Sequence, residues 1–177
     1  MASTGSPTCE HRVVARDQQR SPAAVYEDLA PAVLGYFRAQ RMRDPEGLTG
    51  DVFVAVTEKL AGFRGDDHAL RRWVFTIAHH RRVDEIRRVA RRPETVVEHP
   101  TVPPTMDPTP VDPALVRALD RLTPDQRDVV VLRYVVDLAV ADVAKVLGKR
   151  AGAVKMLQAR ALTALADDLG GTSPESA

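Results

Sequence analysis

Two clusters of cationic side chains are the strongest candidates for a functional site in this sequence. Their chemistry would be the neutralisation of a polyanion. Between His79 and Arg92 there are six arginines, two acids and two adjacent histidines. Between Val143 and Leu162 there are five basic residues and no acid. Lysine and arginine in such clusters neutralise the phosphates of nucleic acids, but a solvated helix face explains the same charges without a ligand. Charge alone leaves both interpretations open.

Other kinds of site have weak support. His80 and Asp84 lie four residues apart and can share one side of a helix, but two ligands are too few for a metal without further partners. Asp66, Asp67 and His68 adjoin in sequence without forming a recognised metal motif. The sequence contains no glycine-rich phosphate loop, nucleophile elbow or paired-carboxylate motif. We therefore expect a protein that is not an enzyme and uses no metal or other cofactor.

The composition is typical of a soluble chain of one or two small domains. It has 177 residues, 44% of them hydrophobic, and a formal net charge of +1, so total charge does not identify a ligand. Cys9 is the single cysteine, which excludes an intrachain disulfide and fits a reducing compartment. No apolar run approaches the roughly 18–20 residues of a membrane span, and no signal-peptide core is present. We expect a cytoplasmic protein without membrane insertion.

An acidic, proline-rich segment divides the chain into two parts. Seven of the thirteen prolines lie between residues 93 and 113, together with four acids and no Lys or Arg. Proline removes backbone donors and disfavours helix, so this segment is predicted to be extended. The prediction is an all-α protein of two small helical domains joined by an extended linker. Its parts are a tail (1–20), a first domain (21–92), the linker (93–112), a second domain (113–170) and a second tail (171–177).

Helix signals in the first domain predict three or four helices. Ser21 and Asp44 each precede a proline, as N-caps do at a helix start, and Pro31 is expected to bend or split the first helix. The third helix, about residues 68–90, has an early apolar stripe whose direction is later occupied by arginines. We expect its first half in the core and its second half outside it. The stripe consists of Leu70, Trp73, Val74 and Ile77, and the arginines are Arg81, Arg88 and Arg92.

The second domain shows the pattern of a helix-turn-helix DNA reader. Thr123 and Gln126 fit a capping box, a short helix is predicted to end at Gly148, and a longer one follows a tight turn. Arg150 stands where a capping Ser or Asp is usual, and a cation there opposes the helix dipole unless an anion such as a DNA phosphate lies nearby. The apolar stripe of the last helix directs small, polar and cationic residues outward, which suits entry into the major groove. A helical hairpin with a solvated basic face is the alternative.

Several motifs, in order and spacing, resemble the extracytoplasmic-function (ECF) group of the sigma-70 family, in its actinobacterial branch, over about residues 22–170. Three of the motifs are contiguous: DPEGLTGDVFVAV (44–56), FRGD (63–66) and WVFTIAHHRRVDEIRR (73–88). A fourth is a spaced pattern that runs from Leu119 to Tyr134. The last consists of Ala144, Leu147 and Gly148, followed by GAVK (152–155). The resemblance implies a transcription initiation factor that brings core RNA polymerase to promoter DNA. It also implies a probable anti-sigma factor that masks the binding surfaces.

The resemblance assigns roles to individual positions. One helix would dock on the β′ subunit of polymerase, the loop 63–67 would receive a base flipped from the −10 element, and the last helix would read the −35 element. The linker would pass through polymerase channels. The partners implied by the resemblance are the β′ and β subunits of core polymerase and promoter DNA. The polymerase-binding residues implied are Leu48, Asp51, Val52 and Ala55. The DNA-binding residues proposed are Arg64, Asp66, Trp73, His79, His80, Arg81, Arg82, Arg87, Arg88, Lys149, Arg150, Lys155, Met156, Ala159 and Arg160.

Four departures from the family pattern matter for these roles. Gly47 and Gly50 replace an acid and a glutamine on the polymerase-docking helix, His80 replaces an asparagine, and Ala139 replaces a capping serine. Each glycine weakens a helix interior by about 1 kcal/mol relative to alanine. These glycines leave open a degenerate factor that only titrates an anti-sigma partner. A stand-alone helix-turn-helix regulator whose first half oligomerises is the other alternative, but it leaves the pattern from Trp73 to Arg88 and the acidic linker unexplained.

Overall fold

In a computed structural model the described residues are 20–91 and 113–170, and every regular element in these ranges is helical. The all-α prediction is confirmed. The predicted linker and the tails, apart from Arg20, lie outside the described residues. The first half contains α1 (Pro22–Ala39), α2 (Pro45–Leu60) and α3 (Asp67–Arg91); the second contains α4 (Pro113–Arg121), α5 (Pro124–Val130), a π-helical segment (Val131–Val135), α6 (Val140–Leu147) and α7 (Ala151–Gly170).

Side-chain caps start the three helices of the first half. The Ser21 hydroxyl accepts a hydrogen bond from the Ala24 amide at 3.1 Å, and the Asp44 carboxylate accepts one from the Gly47 amide at 2.8 Å. The Asp66 carboxylate does the same for the Ala69 amide at 2.7 Å. Each bond satisfies a donor that lacks a partner within the helix. α1 continues through Pro31 as one helix, so the expected splitting does not occur.

The helix ends of the second half follow the sequence signals. Thr123 and Gln126 form the reciprocal capping box that starts α5. Gly148 ends α6 in the left-handed conformation, with φ of 61°, which glycine adopts without the strain of a Cβ atom. The Ala139 side chain supplies no cap to α6. The Arg150 carbonyl accepts the first α7 hydrogen bond from Val154 at 3.1 Å, so Arg150 occupies the predicted N-cap position.

The two halves pack against each other, which the sequence did not predict. α3 contacts α6, and α1 contacts the π-helical segment. One cluster of buried apolar side chains includes members from both halves, among them Phe37 and Val74 from the first and Leu132 and Val143 from the second. A smaller cluster, which includes Ala161, joins α4, α5 and α7. The described residues therefore form a closed arrangement with a shared core.

The packing of α3 corrects the predicted stripe. Its buried residues are Leu70, Val74, Phe75, Ala78 and Arg82, whereas Trp73 and Ile77 are half-buried. The stripe is wider and longer than expected because α3 contacts α1 and α2 as well as α6. No helix in the described part of the chain is both long and apolar enough to cross a membrane.

Candidate nucleic-acid interface

The outward face of α7 is the first candidate surface. α6, the turn at Gly148 and α7 form the predicted helix-turn-helix. Val154, Ala161 and Leu165 are buried and fix the rotation of α7 about its axis. The residues predicted to point outward are all exposed: Lys155, Met156, Ala159, Arg160 and Thr163. Met156 has 54% of its surface exposed, so an unbranched apolar side chain lies between two cations on this face.

Three cations of this face form no ion pair with another described residue. None of the ion pairs between described residues involves Arg150, Lys155 or Arg160, and all three are exposed. Lys149 differs, because its Nζ lies 2.8 Å from the Asp125 carboxylate at the start of α5. Unpaired exposed cations are available to phosphates, and their binding releases counterions. The face can therefore bind a polyanion without first breaking an internal ion pair.

A shallow recess lies at the N-terminal end of the same face. It is lined by Asp125, Lys149, Arg150, Ala153, Met156, Leu157 and Arg160. Apolar atoms form most of its wall, with cations around it. This combination suits the edges of bases, where thymine methyl groups meet apolar side chains and arginine meets guanine acceptors.

The arginines of α3 divide into exposed and buried members. Arg81, Arg87 and Arg88 are exposed, the last two beside Asp84 and Glu85 respectively. Arg82 is only 5% exposed. Its Nη2 donates to both carboxylate oxygens of Asp128 in α5, at 2.7 and 2.8 Å. The expectation that Arg82 lies on the surface is wrong for this closed arrangement, because the stripe of α3 reaches it and the second half covers it.

The two histidines of the predicted site differ in environment. His80 is exposed, whereas His79 is half-buried and its Nδ1 lies 3.2 Å from the Tyr36 hydroxyl. Burial, followed by the charges of Arg82, His80 and Lys149, lowers the pKa of His79 to about 4. His79 is therefore neutral at pH 7. The pKa of Tyr36 is raised, mainly by burial, so its hydroxyl also stays neutral.

The loop between α2 and α3 is held by its own side chains. Arg64 donates to the carbonyls of Ala61 and Phe63 at 3.0 and 2.8 Å, and Asp66 caps α3. The Phe63 ring stacks on Trp73, with centroids 5.1 Å apart and planes 28° apart. Arg64 and Asp66 thus have local structural roles, and Trp73 is neither fully buried nor free.

An open recess adjoins this aromatic pair. Its lining residues are Glu58, Lys59, Gly62, Phe63, Arg64 and Trp73. Gly65 lets the loop turn tightly beside it, because a Cβ atom there would lie 2.8 Å from the Cβ of Ala69 and 3.0 Å from Cζ of Phe63. A flat aromatic wall flanked by cations is suited to stacking an unpaired base.

Three of the four implied polymerase contacts lie inside the first half. Leu48, Val52 and Ala55 are 8%, 0% and 5% exposed, and only Asp51 faces outward. Buried side chains cannot touch a partner in this arrangement, so the assignment of those three as contact residues is wrong for it. The exposed face of α2 instead carries Gly47, Gly50, Asp51, Val54 and Glu58. Val54, 60% exposed, was missed, although its helical spacing from Gly47 and Asp51 places it on that face.

Comparison with known families identifies the class of protein. Residues 25–92 match sigma-70 region 2 and residues 113–165 match sigma-70 region 4. The first match includes all of α3, and the second includes α6, the turn at Gly148 and most of α7.

Comparison with individual proteins narrows the class. The chain is 32% identical to the ECF RNA polymerase sigma factor ShbA of Streptomyces griseus subsp. griseus, covering 88% of this chain and 90% of ShbA. It is 30% identical to the ECF sigma factor SigK of Mycolicibacterium vanbaalenii, covering 90% of this chain and 87% of SigK. It is also 30% identical to the ECF sigma factor BldN of Streptomyces coelicolor, covering 74% of this chain but only 53% of BldN, about half its length. The chain belongs to the ECF group of the sigma-70 family, in its actinobacterial type.

Solved structures share the fold. The sigma factor RpoE from Bartonella quintana, crystallised with the anti-sigma factor NepR, matches with a TM-score of 0.67 at 22% identity, over 84% of this chain and 96% of RpoE. CnrH, solved with the cytosolic domain of CnrY, matches with a TM-score of 0.62 at 24% identity, over 89% of this chain and 92% of CnrH.

Proposed function

We propose that this chain directs core RNA polymerase to specific promoters during transcription initiation, in the cytoplasm, and that it is not an enzyme. The observation that carries the proposal is the exposed face of α7, where Arg150, Lys155 and Arg160 form no ion pair within residues 20–91 and 113–170 and flank Met156 and Ala159. Region 4 of a sigma-70 factor supplies a reason for that face, namely contact with the −35 element. A solvated basic surface alone does not explain its apolar recess.

The first half contributes the second DNA contact of the proposal. The Phe63–Trp73 pair and its recess are suited to an unpaired base of the −10 element, and the exposed cations of α3 are suited to the adjacent phosphates. Arg64 and Asp66 act there by shaping the loop. Arg82 belongs to the same helix but requires the two halves to separate before DNA can reach it.

Polymerase docking is assigned to the exposed face of α2. Asp51 and Val54 provide a charge and an apolar contact, while Gly50 leaves the backbone of the same face uncovered. The buried residues Leu48 and Val52 position this face from within. The β′ and β subunits of core polymerase, promoter DNA and an anti-sigma factor are the proposed partners, the last by analogy with the RpoE–NepR complex.

Transcription in vitro tests the function directly. Purified core polymerase is given a promoter library with and without the protein, and promoter-specific transcripts are expected only with it. Absence of such transcripts across the library, with the chain folded, would count against initiation and favour the titration alternative. A chain that binds the same promoters equally well without polymerase would instead support a stand-alone regulator.

A single substitution tests the reader face. Arg160→Ala is expected to weaken promoter binding by about 1–3 kcal/mol and to relax specificity at one base pair of the −35 element, because an arginine–base contact has that value. Arg117→Ala is the matched control, since Arg117 is an exposed arginine on α4, away from the recess. Equal effects of the two substitutions, or unchanged promoter preference in Arg160→Ala, would remove Arg160 from the reader face.

A further inference from the structure

The polar contacts between the two halves share one orientation, from donor to acceptor. Every hydrogen bond and ion pair that joins described residues of the first half to the second has its donor in the first half. Arg72 pairs with Asp142 at 2.8 Å, and Arg71 donates to the Val136 carbonyl at 3.2 Å. The remaining donors are Gln40 and Arg82, both to Asp128, and Arg41, to Asp120. The second half therefore presents three carboxylates and one backbone carbonyl to these five donors, four of which are arginines. The arginines thus meet mainly anionic oxygens, as they would at DNA phosphates.

The pair formed by Arg82 and Asp128, which we call the latch, is the most buried of these contacts. Both side chains are 6% exposed, whereas the members of the Arg72–Asp142 pair are 31% and 18% exposed. The Gln40 amide donates a further hydrogen bond to Asp128 at 2.8 Å. Loss of one partner from such a pair leaves a buried charge uncompensated, which is strongly destabilising. Separation of the halves avoids that penalty, because it exposes both charges to water, but it gives up the hydrogen bonds of the pair.

A promoter phosphate can replace Asp128 with similar chemistry. Carboxylate and phosphate each offer two oxygens to the fork of one guanidinium, so the exchange conserves charge-assisted hydrogen bonds. The latch also leaves one donor unsatisfied, because the buried Nε of Arg82 has no acceptor among the described residues. An Arg82 exposed to DNA and water can satisfy that donor as well. The exchange therefore removes a defect of the closed arrangement.

We propose that Asp128 is an internal competitor of promoter DNA, which holds Arg82 and keeps the halves closed until core polymerase separates them. The latch makes the free chain poor at binding promoters and makes opening depend on the polymerase surface. Only the competition with DNA rests on the proposed function. The closing action of Asp128 does not, since it involves two residues of the same chain.

The closing action is tested in the free chain without DNA or polymerase. Donor and acceptor dyes are placed at Glu27→Cys in α1 and Asp167→Cys in α7, both exposed, in a Cys9→Ser background. Asp128→Asn keeps the side-chain size but removes the charge, and is expected to raise the ratio of open to closed molecules by about tenfold or more. Asp142→Asn is the matched control, and a much smaller change is expected because its pair is more exposed. A folded Asp128→Asn chain with the wild-type transfer efficiency would overturn the proposal.

Two further measurements keep the outcomes distinct. If circular dichroism shows that Asp128→Asn has lost its helices, the swapped pair Arg82→Asp with Asp128→Arg is used. Recovery of the closed transfer efficiency supports the latch, and failure to recover it overturns the latch. Promoter-fragment binding by Asp128→Asn without polymerase, measured by fluorescence anisotropy, is expected to be about tenfold tighter than that of the wild type. An open chain without tighter DNA binding would refute competition with DNA, while leaving the closing action intact.

Discussion

The glycines on the exposed face of α2 allow a prediction whose size can be derived from the structure. Gly50 lies within the helix, and a Cβ atom built there meets nothing within 4 Å. Gly50→Ala therefore adds helix propensity without a steric cost and is expected to raise the free energy of unfolding by about 1 kcal/mol. For a chain of this size, that gain corresponds to a rise in Tm of roughly 2–4 °C.

Gly47 provides the matched comparison in the same helix. A Cβ atom there would lie 2.1 Å from Oδ2 of Asp44, the residue that caps α2. The carboxylate would have to move, and loss of such a cap costs about 0.5–2 kcal/mol. Because that loss offsets the gain in propensity, Gly47→Ala is expected to leave Tm unchanged or lower it.

Thermal unfolding followed by circular dichroism at 222 nm measures both variants. The reasoning is refuted if Gly47→Ala gains as much as Gly50→Ala, or if Gly50→Ala gains nothing. Gly50→Gln extends the test to function, since glutamine resembles alanine in propensity but adds a polar side chain to the face. Tighter binding of core polymerase by Gly50→Gln than by Gly50→Ala is expected if this face docks; equal binding would remove Gly50 from the contact.

Three further predictions concern a cap, a loop and a titration. Ala139→Ser supplies the missing cap of α6 and is expected to add about 1 kcal/mol of stability; a Tm no higher than that of wild type would contradict it. Gly65→Ala places a Cβ atom against Ala69 and Phe63, so the Phe63–Trp73 stack should open and shift the tryptophan emission, and an unchanged spectrum would argue against the crowding. Protonation of His79, whose pKa burial lowers from 6.5 to about 4, is disfavoured in the folded chain, so the stability it contributes is fully present above pH 6.5 and is lost as pH falls toward 4. The fall in stability between pH 7 and 5, followed as Tm, should therefore be smaller in His79→Asn; equal pH profiles would refute it.

The sequence predicted those features of the fold that depend on neighbouring residues. Ser21, Asp44 and Thr123 cap helices as expected, because a cap bonds to an amide three residues away. The outward face of α7 was predicted correctly because its inner stripe is regular and determines the rotation of the helix. Gly148 was predictable as a helix end for the same local reason.

Features that depend on the other half of the chain were not predictable in this way. Arg82 is buried because Asp128, distant in sequence, covers it, and no local pattern indicates that pair. Leu48, Val52 and Ala55 were assigned to a partner from the family motif, although the i, i+4 spacing of Leu48 and Val52 already indicated a core-facing stripe. Family resemblance identified the docking helix but not the side of it that faces outward.

The one-way polarity of the contact between the halves has a consequence for building hybrid factors. Sigma-70 regions 2 and 4 are obvious units to exchange when new promoter specificities are sought. A hybrid that takes its first half from this chain brings five donor side chains that need acceptors at the positions of Asp120, Asp128, Val136 and Asp142. The Val136 carbonyl is backbone and any donor chain can supply it, but the three carboxylates must be inherited together with the second half. Hybrids that lack them should close less readily, so their promoter binding should be less restrained in the absence of polymerase.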